Sequence, residues 1–332
     1  MSKAIVFYRL PGTNEIVKSN GVIDNELVPI DFISDLEKDV FYIAPYNEGN
    51  KAYACILGNE IKRFEVIKYQ NNDKNEYDSE TDFIDKVNFA IDEIKQLKQI
   101  SKVVLARCKK FKIADEIDVN AYFLALCLNY PNAFVYAISS SVTGTWIAAT
   151  PELLLKATNK TIETTAIAGT KLFDNDVEWG AKEIDEHHQV ELFIEHLIQK
   201  YELELINKDG PKSIKSGHLT HLSSYYTIEN KRTVIDMFLN ELNPTPAVGG
   251  LPSKNAIDFI LKNENLDRKF YTGFVGIKTK DLTQLFVNIR CMEIFKNHVN
   301  AYAGCGITNQ SIARNEWLET EYKLETVLKY LA

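Results

Sequence analysis

Two short runs place carboxylates at helical spacing. In GAKEIDEHHQV, Glu183, Glu186 and Val190 stand at i, i+3 and i+7 with His187 beside them; in ARNEWLETEYK, Glu316, Glu319 and Lys323 repeat the pattern. On a helix each set shares one face. One carboxylate from each helix could grip a hard divalent cation. Magnesium suits such a pair, because it takes few carboxylates and keeps several waters that substrate oxygens can replace. The same spacing also describes two solvated helix faces with ordinary ion pairs. Charged faces are common, so spacing alone favours that plainer reading.

Glycine placement is the second signal. TTAIAGTKL, NPTPAVGG, YTGFVG and AGCGI each set Gly beside Thr or apolar residues at what read as strand ends. Glycine there either admits a ligand close to the backbone or makes a turn or bulge, and alone the second is the better reading. Arg290 closes LFVNIR, as a surface charge or as a bidentate clamp on a carboxylate. His221, in HLTHLSS, reads more readily as a satisfied core histidine than as a catalyst. The sequence contains no G-x-S-x-G, H-E-x-x-H or Walker pattern, which leaves the usual hydrolase and nucleotide motifs without support.

The elements that must position these residues can be read from periodicity. Phe83, Val87, Ala90, Ile91, Ile94 and Leu97 recur at helical spacing and predict a helix over 82–99. KVVLARCKKFKI then switches to strand composition, with Lys102, Val104 and Ala106 on one face and Val103, Leu105 and Arg107 on the other. Asp118 predicts the cap of a helix ending before Pro131. AFVYAISS, TWIAAT, ELLLKAT and TIETTAIAG read as strands, the last two joined by a turn at Asn159 and Lys160. A long helix is expected from about Asp176 to Tyr201, with shorter ones near 232–241 and 254–264. Strands follow at HLTHLSSYYTI, FYTGFVGIKT, TQLFVNIRCMEI and HVNAYAGCGI, and an amphipathic helix runs from about Ala313. Before residue 80 the strands AIVFYRL, DVFYIAPY, KAYACILG and IKRFEVIKY precede a polar stretch, QNNDKNEYDSETD, read as a surface loop. Strands in hairpin groups with helices between them predict an α+β fold with antiparallel sheets, and the absence of regular β-α-β alternation argues against a Rossmann fold.

Composition sets the outer limits. The 332 residues are 45% hydrophobic and 25% charged, and the net charge of -8 argues against a broad nucleic-acid surface. A local cluster of cations could still hold a small anion. Five widely spaced cysteines without a C-x-x-C pair suggest reduced thiols. No signal-peptide pattern and no run of roughly 18 apolar residues is present, so the expectation is a cytoplasmic protein without a membrane partner.

Taken in order, KVVLAR, TPELLL, AIAGT, KEIDEHHQV, HLTHLSS, PTPAVGG, YTGFVG, FVNIR, AGCGI and EWLETEYK resemble the chorismate-binding enzyme family of isochorismate, salicylate, anthranilate and aminodeoxychorismate synthases. The resemblance spans about residues 80–330. It implies one domain over 1–332, with a family core at 81–330 and a variable N-terminal subregion at 1–80. It implies two facing antiparallel sheets wrapped by helices, with the site between them. It reverses the plain reading of the carboxylate faces: Glu186 and Glu319 would hold Mg²⁺, with Glu183 and Glu316 in its outer shell. Arg290, Tyr271 and the backbone at Gly304 would hold substrate carboxylates. Thr170, Thr245, Ala247 and His221 would line the pocket, and Lys323 would lie near metal and substrate. Lys102 matches a general base and Glu152 a general acid.

Two positions discriminate within the family. Ammonia-using members typically carry Gln where this chain has Lys102, and aminodeoxychorismate synthases carry Lys where it has Ala168. Both point to water as nucleophile, to the isochorismate-forming branch, and to no obligate glutamine amidotransferase subunit. The product would serve menaquinone or siderophore biosynthesis. Salicylate synthase, which continues by eliminating pyruvate, uses the same residues and stays open, as does a non-catalytic chorismate-binding subunit. TPE for the commoner SPE, Asn243 for a frequent His and AGCGI for AGAGI are departures that remove none of these groups.

Overall fold

The computed structural model describes residues 1–32, 37–67, 73, 77–172, 178–216 and 219–331. Residues 70–72 and 74–76 of the polar stretch read as a loop, the expected helix start at Asp176, and His218 lie outside these.

Local signals place most elements. Ser79 accepts from Asp82 N and the Asp82 carboxylate returns to Ser79 N, so the first helix begins at Glu80, ahead of the expected 82, and runs to Leu97. Asp118 accepts from the amides of Asn120 and Ala121 and caps Val119–Asn129 as anticipated. Alternation holds on the strand Lys102–Lys112. Val103 and Leu105 pack under Phe83, Val87, Ile91 and Ile260, while Arg107 lies 3.8 Å over the Trp317 ring on the same side. Lys102 and Val104 face the opposite way, into a cavity.

The strands pair antiparallel throughout. From Gly250–Leu251 the ladder passes through Lys102–Lys112, His298–Ile307, Cys291–Ile294, Gly144–Thr150 and Phe134–Ser140 to Ser2–Arg9. From there it continues through Ile16–Ile23, Lys51–Glu60, Val40–Ile43, Phe274–Lys278 and Thr283–Val287. It ends through Leu153–Ala157, Thr161–Leu172 and Leu219–Glu229 at Leu205–Ser216. The α+β antiparallel expectation stands, with one refinement: the two sheets are limbs of one curled ladder, joined through the N-terminal strands. Helix Ala181–Lys200 packs on the limb of Thr161–Leu172, and Ala313–Leu328 packs on His298–Ile307 of the other. No helix among the described residues is long and apolar enough to cross a membrane.

Three strand expectations change. IKRFEVIKY forms no strand over its described residues. TQLFVNIRCMEI breaks into Thr283–Val287 and Cys291–Ile294, and Arg290 sits between them at φ 50°. FYTGFVGIKT becomes a strand only at Phe274, after Thr272 at φ 61°. Left-handed backbone at a non-glycine residue costs on the order of 1–3 kcal/mol. Here the two strained turns clasp each other: Thr272 N donates to Asn288 O and Asn288 N to Gly273 O, each at 2.8 Å. Leu205–Ser216 escaped sequence reading because Gly210 and Pro211 look like a turn; they sit at a register shift within the strand.

A buried ion pair ties these parts together. Arg268 donates from Nε to Glu264 Oε1 at 2.6 Å and from Nη2 to Glu264 Oε2 at 2.5 Å, both side chains being 2% exposed. The guanidinium also donates to Val104 O, Val248 O and Thr272 Oγ1 at 2.7, 3.1 and 3.1 Å. Glu264 Oε2 accepts from Ala106 N at 2.7 Å. Removing one partner of such a pair strands the other, so Glu264→Gln or Arg268→Met is expected to cost about 3–5 kcal/mol in urea unfolding. A loss below about 1 kcal/mol would show that the pair does not hold the fold.

Candidate active site

The limbs enclose a cleft with about 760 Å³ of empty space, mouth included. Lys102, Glu152, Ala168, Thr170, Glu186, His221, Ala247, Tyr271, Arg290, Gly304, Glu319 and Lys323 all line it. These residues come from positions scattered over more than two hundred residues of chain.

Strand His298–Ile307 supplies the floor, and its glycines are needed for space. A Cβ at Gly306 would come 2.8 Å from Lys102 Cε and 3.4 Å from Glu186 Oε1; one at Gly304 would meet Leu105 O at 2.9 Å and the Tyr271 hydroxyl at 3.0 Å. Lys102 is 2% exposed and therefore crosses Gly306 alongside Glu186. Lys323 Nζ donates to Gly304 O at 2.9 Å and to Glu319 Oε1 at 2.6 Å. Arg290 is positioned by the C-terminal helix, where its Nη1 donates to Thr326 Oγ1 at 3.2 Å and Lys323 O at 3.3 Å. Tyr271 stacks on Tyr302 with centroids 5.6 Å apart.

Burial sets the protonation states. Glu152 is fully enclosed, and desolvation pushes its carboxyl up to about 7 against the pull of Lys323, Lys102 and Arg290. Burial, helped by the Arg290 and Lys323 charges, pushes His221 down to about 3, so its ring is neutral at physiological pH. His221 Nδ1 lies 3.0 Å from Gly169 O and 3.2 Å from Thr170 Oγ1, while Nε2 is buried without a partner among the described residues. This is not the satisfied core histidine of the plain reading: one nitrogen is held and the other is left open. The bulge at Gly169, at φ 72°, brings that carbonyl to the ring.

One residue of the expected lining lies elsewhere. Thr245 is not on the cavity wall; its carbonyl accepts from Val248 N at 3.0 Å and Gly249 N at 2.9 Å, shaping the turn that presents Ala247. Glu183 and Glu316 line an adjoining pocket that shares Thr170 and Glu319 with the cleft. Glu183 accepts from Gly180 N at 2.9 Å. Glu316, 1% exposed, is pushed up to about 7 by burial and by Glu319, against the pull of Lys182. Lys182 was not singled out from sequence, although its i, i+4 spacing to Glu186 places both on one helix face.

The carboxylates suit a hard cation that other ligands complete. Glu186 is nearly buried, its Oε1 has no partner among the described residues, and burial holds its carboxyl above the ordinary range. Among the described residues no three acidic, His or Cys side chains converge into a protein-only metal cage. Magnesium does not require one, because a pair of carboxylates with water and substrate oxygens suffices.

Because the Glu152 carboxyl is raised in the folded state, the native protein holds a proton that the unfolded chain releases above about 4.5. Folding stability attributable to this group therefore falls as pH rises from about 4.5 to about 7 and levels off beyond. Glu152→Gln is expected to stabilise the ligand-free protein at pH 8 and to have little effect at pH 4.5. Equal melting shifts at both values would contradict the assignment.

A family profile described as chorismate binding enzyme matches residues 51–332. Among curated proteins, the vibriobactin-specific isochorismate synthase of Vibrio cholerae is 27% identical over 69% of this chain and 61% of its own length. Isochorismate synthase MenF of Bacillus subtilis is 27% identical over 86% of this chain and 62% of its own length. The chain thus spans about three fifths of the curated relatives it matches. The solved structure of MenF, the menaquinone-specific isochorismate synthase from Escherichia coli, superposes with a TM-score of 0.78 at 19% identity, covering 98% of this chain and 88% of that one. With the profile covering most of the sequence and the same curled fold in the solved relative, the chain belongs to the chorismate-binding enzyme family.

Proposed function

We propose that the protein is an isochorismate synthase that converts chorismate to isochorismate by adding water at ring carbon C2 and expelling the hydroxyl from C4. The observation that carries this reading is the placement of Lys102 and the proton-holding Glu152 on one enclosed cavity. Lys102 takes a proton from water as the oxygen bonds to C2. The ring double bonds shift, the C4–O bond breaks, and Glu152 gives its proton to the departing hydroxyl. One water enters and one leaves, so the reaction is an isomerisation. A general acid works best with a pKa near the operating pH, and the value of about 7 at Glu152 meets that demand.

Arg290 and Tyr271 are the groups to hold a substrate carboxylate, with Lys323 beside them. Bound by Glu186 and Glu319, Mg²⁺ would neutralise the ring carboxylate and help orient it. Ala168 leaves no amine to attack the ring, and Lys102 stands where ammonia-using members carry Gln. The coexistence of Lys102, Glu152, Glu186 and Glu319 on one cavity speaks against a subunit that binds chorismate without turning it over. On this reading the product serves menaquinone or siderophore biosynthesis.

Incubation with chorismate and Mg²⁺, followed by separation of products, should yield isochorismate, with or without added ammonia, and excess chelator should abolish it. Salicylate or anthranilate as the main product, or no turnover of chorismate at all, would overturn the reading. In single-turnover experiments Lys102→Ala and Glu152→Gln should each lose about 10²–10⁴-fold in rate while still binding chorismate. Their combination should be little worse than either alone, since both groups act in one displacement. Near-normal turnover by Lys102→Ala would show that another group activates water.

A further inference from the structure

Lys182 sits in the first turn of helix Ala181–Lys200, four residues ahead of Glu186. Its Nζ crosses to the other carboxylate-bearing helix and donates to Glu316 Oε1 at 2.5 Å. Glu316 is buried, whereas the Lys182 side chain is 27% exposed at the pocket beside the cleft. Glu186 and Glu319 also act on the Lys182 charge, and Lys182 acts on Glu186 in return. One ammonium group is therefore held on Glu316 while its charge also acts on the carboxylates that a divalent cation would use. Lys323 is less free to leave, because it also holds Gly304 O on the cavity floor. Among the described residues Glu316 is the hydrogen-bond partner of Lys182, and the route from it to solvent is open.

We propose that Lys182 is a built-in counter-ion of the carboxylate cluster: it bridges the two helices when no metal is bound and swings toward solvent when a divalent cation enters, so that it weakens and thereby sets the affinity for that cation. The proposal rests on the reading that Glu186 and Glu319 take a metal. The physical basis is competition. A cation placed against Glu186 and Glu319 meets a like charge on the adjoining pocket that Lys182 shares with Glu319, where partial desolvation leaves repulsion poorly screened. Without that lysine, the buried Glu316 would lose its ion-pair partner beside Glu319, so the lysine also helps to hold the metal-free site together. A lysine that merely orients Glu316 in both states would have the opposite effect on affinity, since its loss would disorder the site.

The test is equilibrium binding of MgCl₂ to the full chain without chorismate, by titration calorimetry and by the Mg²⁺ dependence of the melting temperature. Lys182→Met, which keeps the stem and loses the charge, should bind Mg²⁺ about tenfold or more tighter than the parent. It should also melt lower than the parent when metal-free and gain more on adding Mg²⁺. Lys182→Gln, which keeps a donor for Glu316, should tighten binding as well and serves if Lys182→Met does not fold without metal. Unchanged or weaker Mg²⁺ binding in the folded variants would overturn the counter-ion role while leaving the metal site standing. If the parent itself shows neither heat nor a melting shift with Mg²⁺, and Glu186→Gln behaves the same, the metal reading falls and this proposal with it.

Discussion

The Glu264–Arg268 ion pair is the contact on which the site's geometry depends most. It reaches three separate pieces of chain: Val104 and Ala106 on the strand of Lys102, Val248 next to Ala247, and Thr272 next to Tyr271. Through Thr272 it bears on Asn288, two residues before Arg290, and Asn288 is itself held by the Tyr136 hydroxyl and Phe270 O. Two charges out of water are tolerable only when their hydrogen-bonding groups are met, and here both carboxylate oxygens and all three guanidinium nitrogens have partners. The two left-handed turns at Thr272 and Arg290 persist because this network leaves the chain no relaxed alternative.

The cavity follows the opposite rule. Among the described residues, Glu186 Oε1 and His221 Nε2 are buried and unpartnered. Open polar atoms in a desolvated site are costly in the free protein and useful to one that must bind a polar ligand. The same desolvation that makes them costly gives Glu152 its proton and keeps His221 neutral. Three cations, Lys102, Lys323 and Arg290, face the acids across a short distance, so the space suits an anion on one side and a cation on the other.

The curled ladder explains how such distant residues meet. Lys102 and Gly304 lie on one limb, Thr170 and His221 on the other. The limbs are joined by Ser2–Arg9, Ile16–Ile23, Lys51–Glu60 and Val40–Ile43, where Tyr8, Phe41, Phe134 and Tyr136 pack ring against ring. The family profile starts at residue 51, yet three of the strands that join the limbs precede it. A hydrogen-bonded joint can be built from many sequences, because it asks for alternation and backbone pairing more than for particular side chains.

Local physics was legible in the residues themselves. Caps at Ser79 and Asp118, the two faces of Lys102–Lys112, the helical repeat through Phe83 and Ile94, and an antiparallel α+β arrangement all follow from signals within a few residues of one another. The order of the family's motifs also named, in advance, most of the residues that line the cleft. Tertiary structure alone decided the rest. Glu264 and Arg268 have the spacing of an ordinary surface pair, and nothing near them in the chain announces that both are buried. The break at Arg290, the pairing within Leu205–Ser216 across Gly210 and Pro211, and the place of Glu183 and Glu316 on an adjoining pocket depend on partners far away in sequence. So does the proton on Glu152, because a carboxyl's affinity for a proton is set by how much water the whole fold takes from it, and no run of neighbouring residues records that.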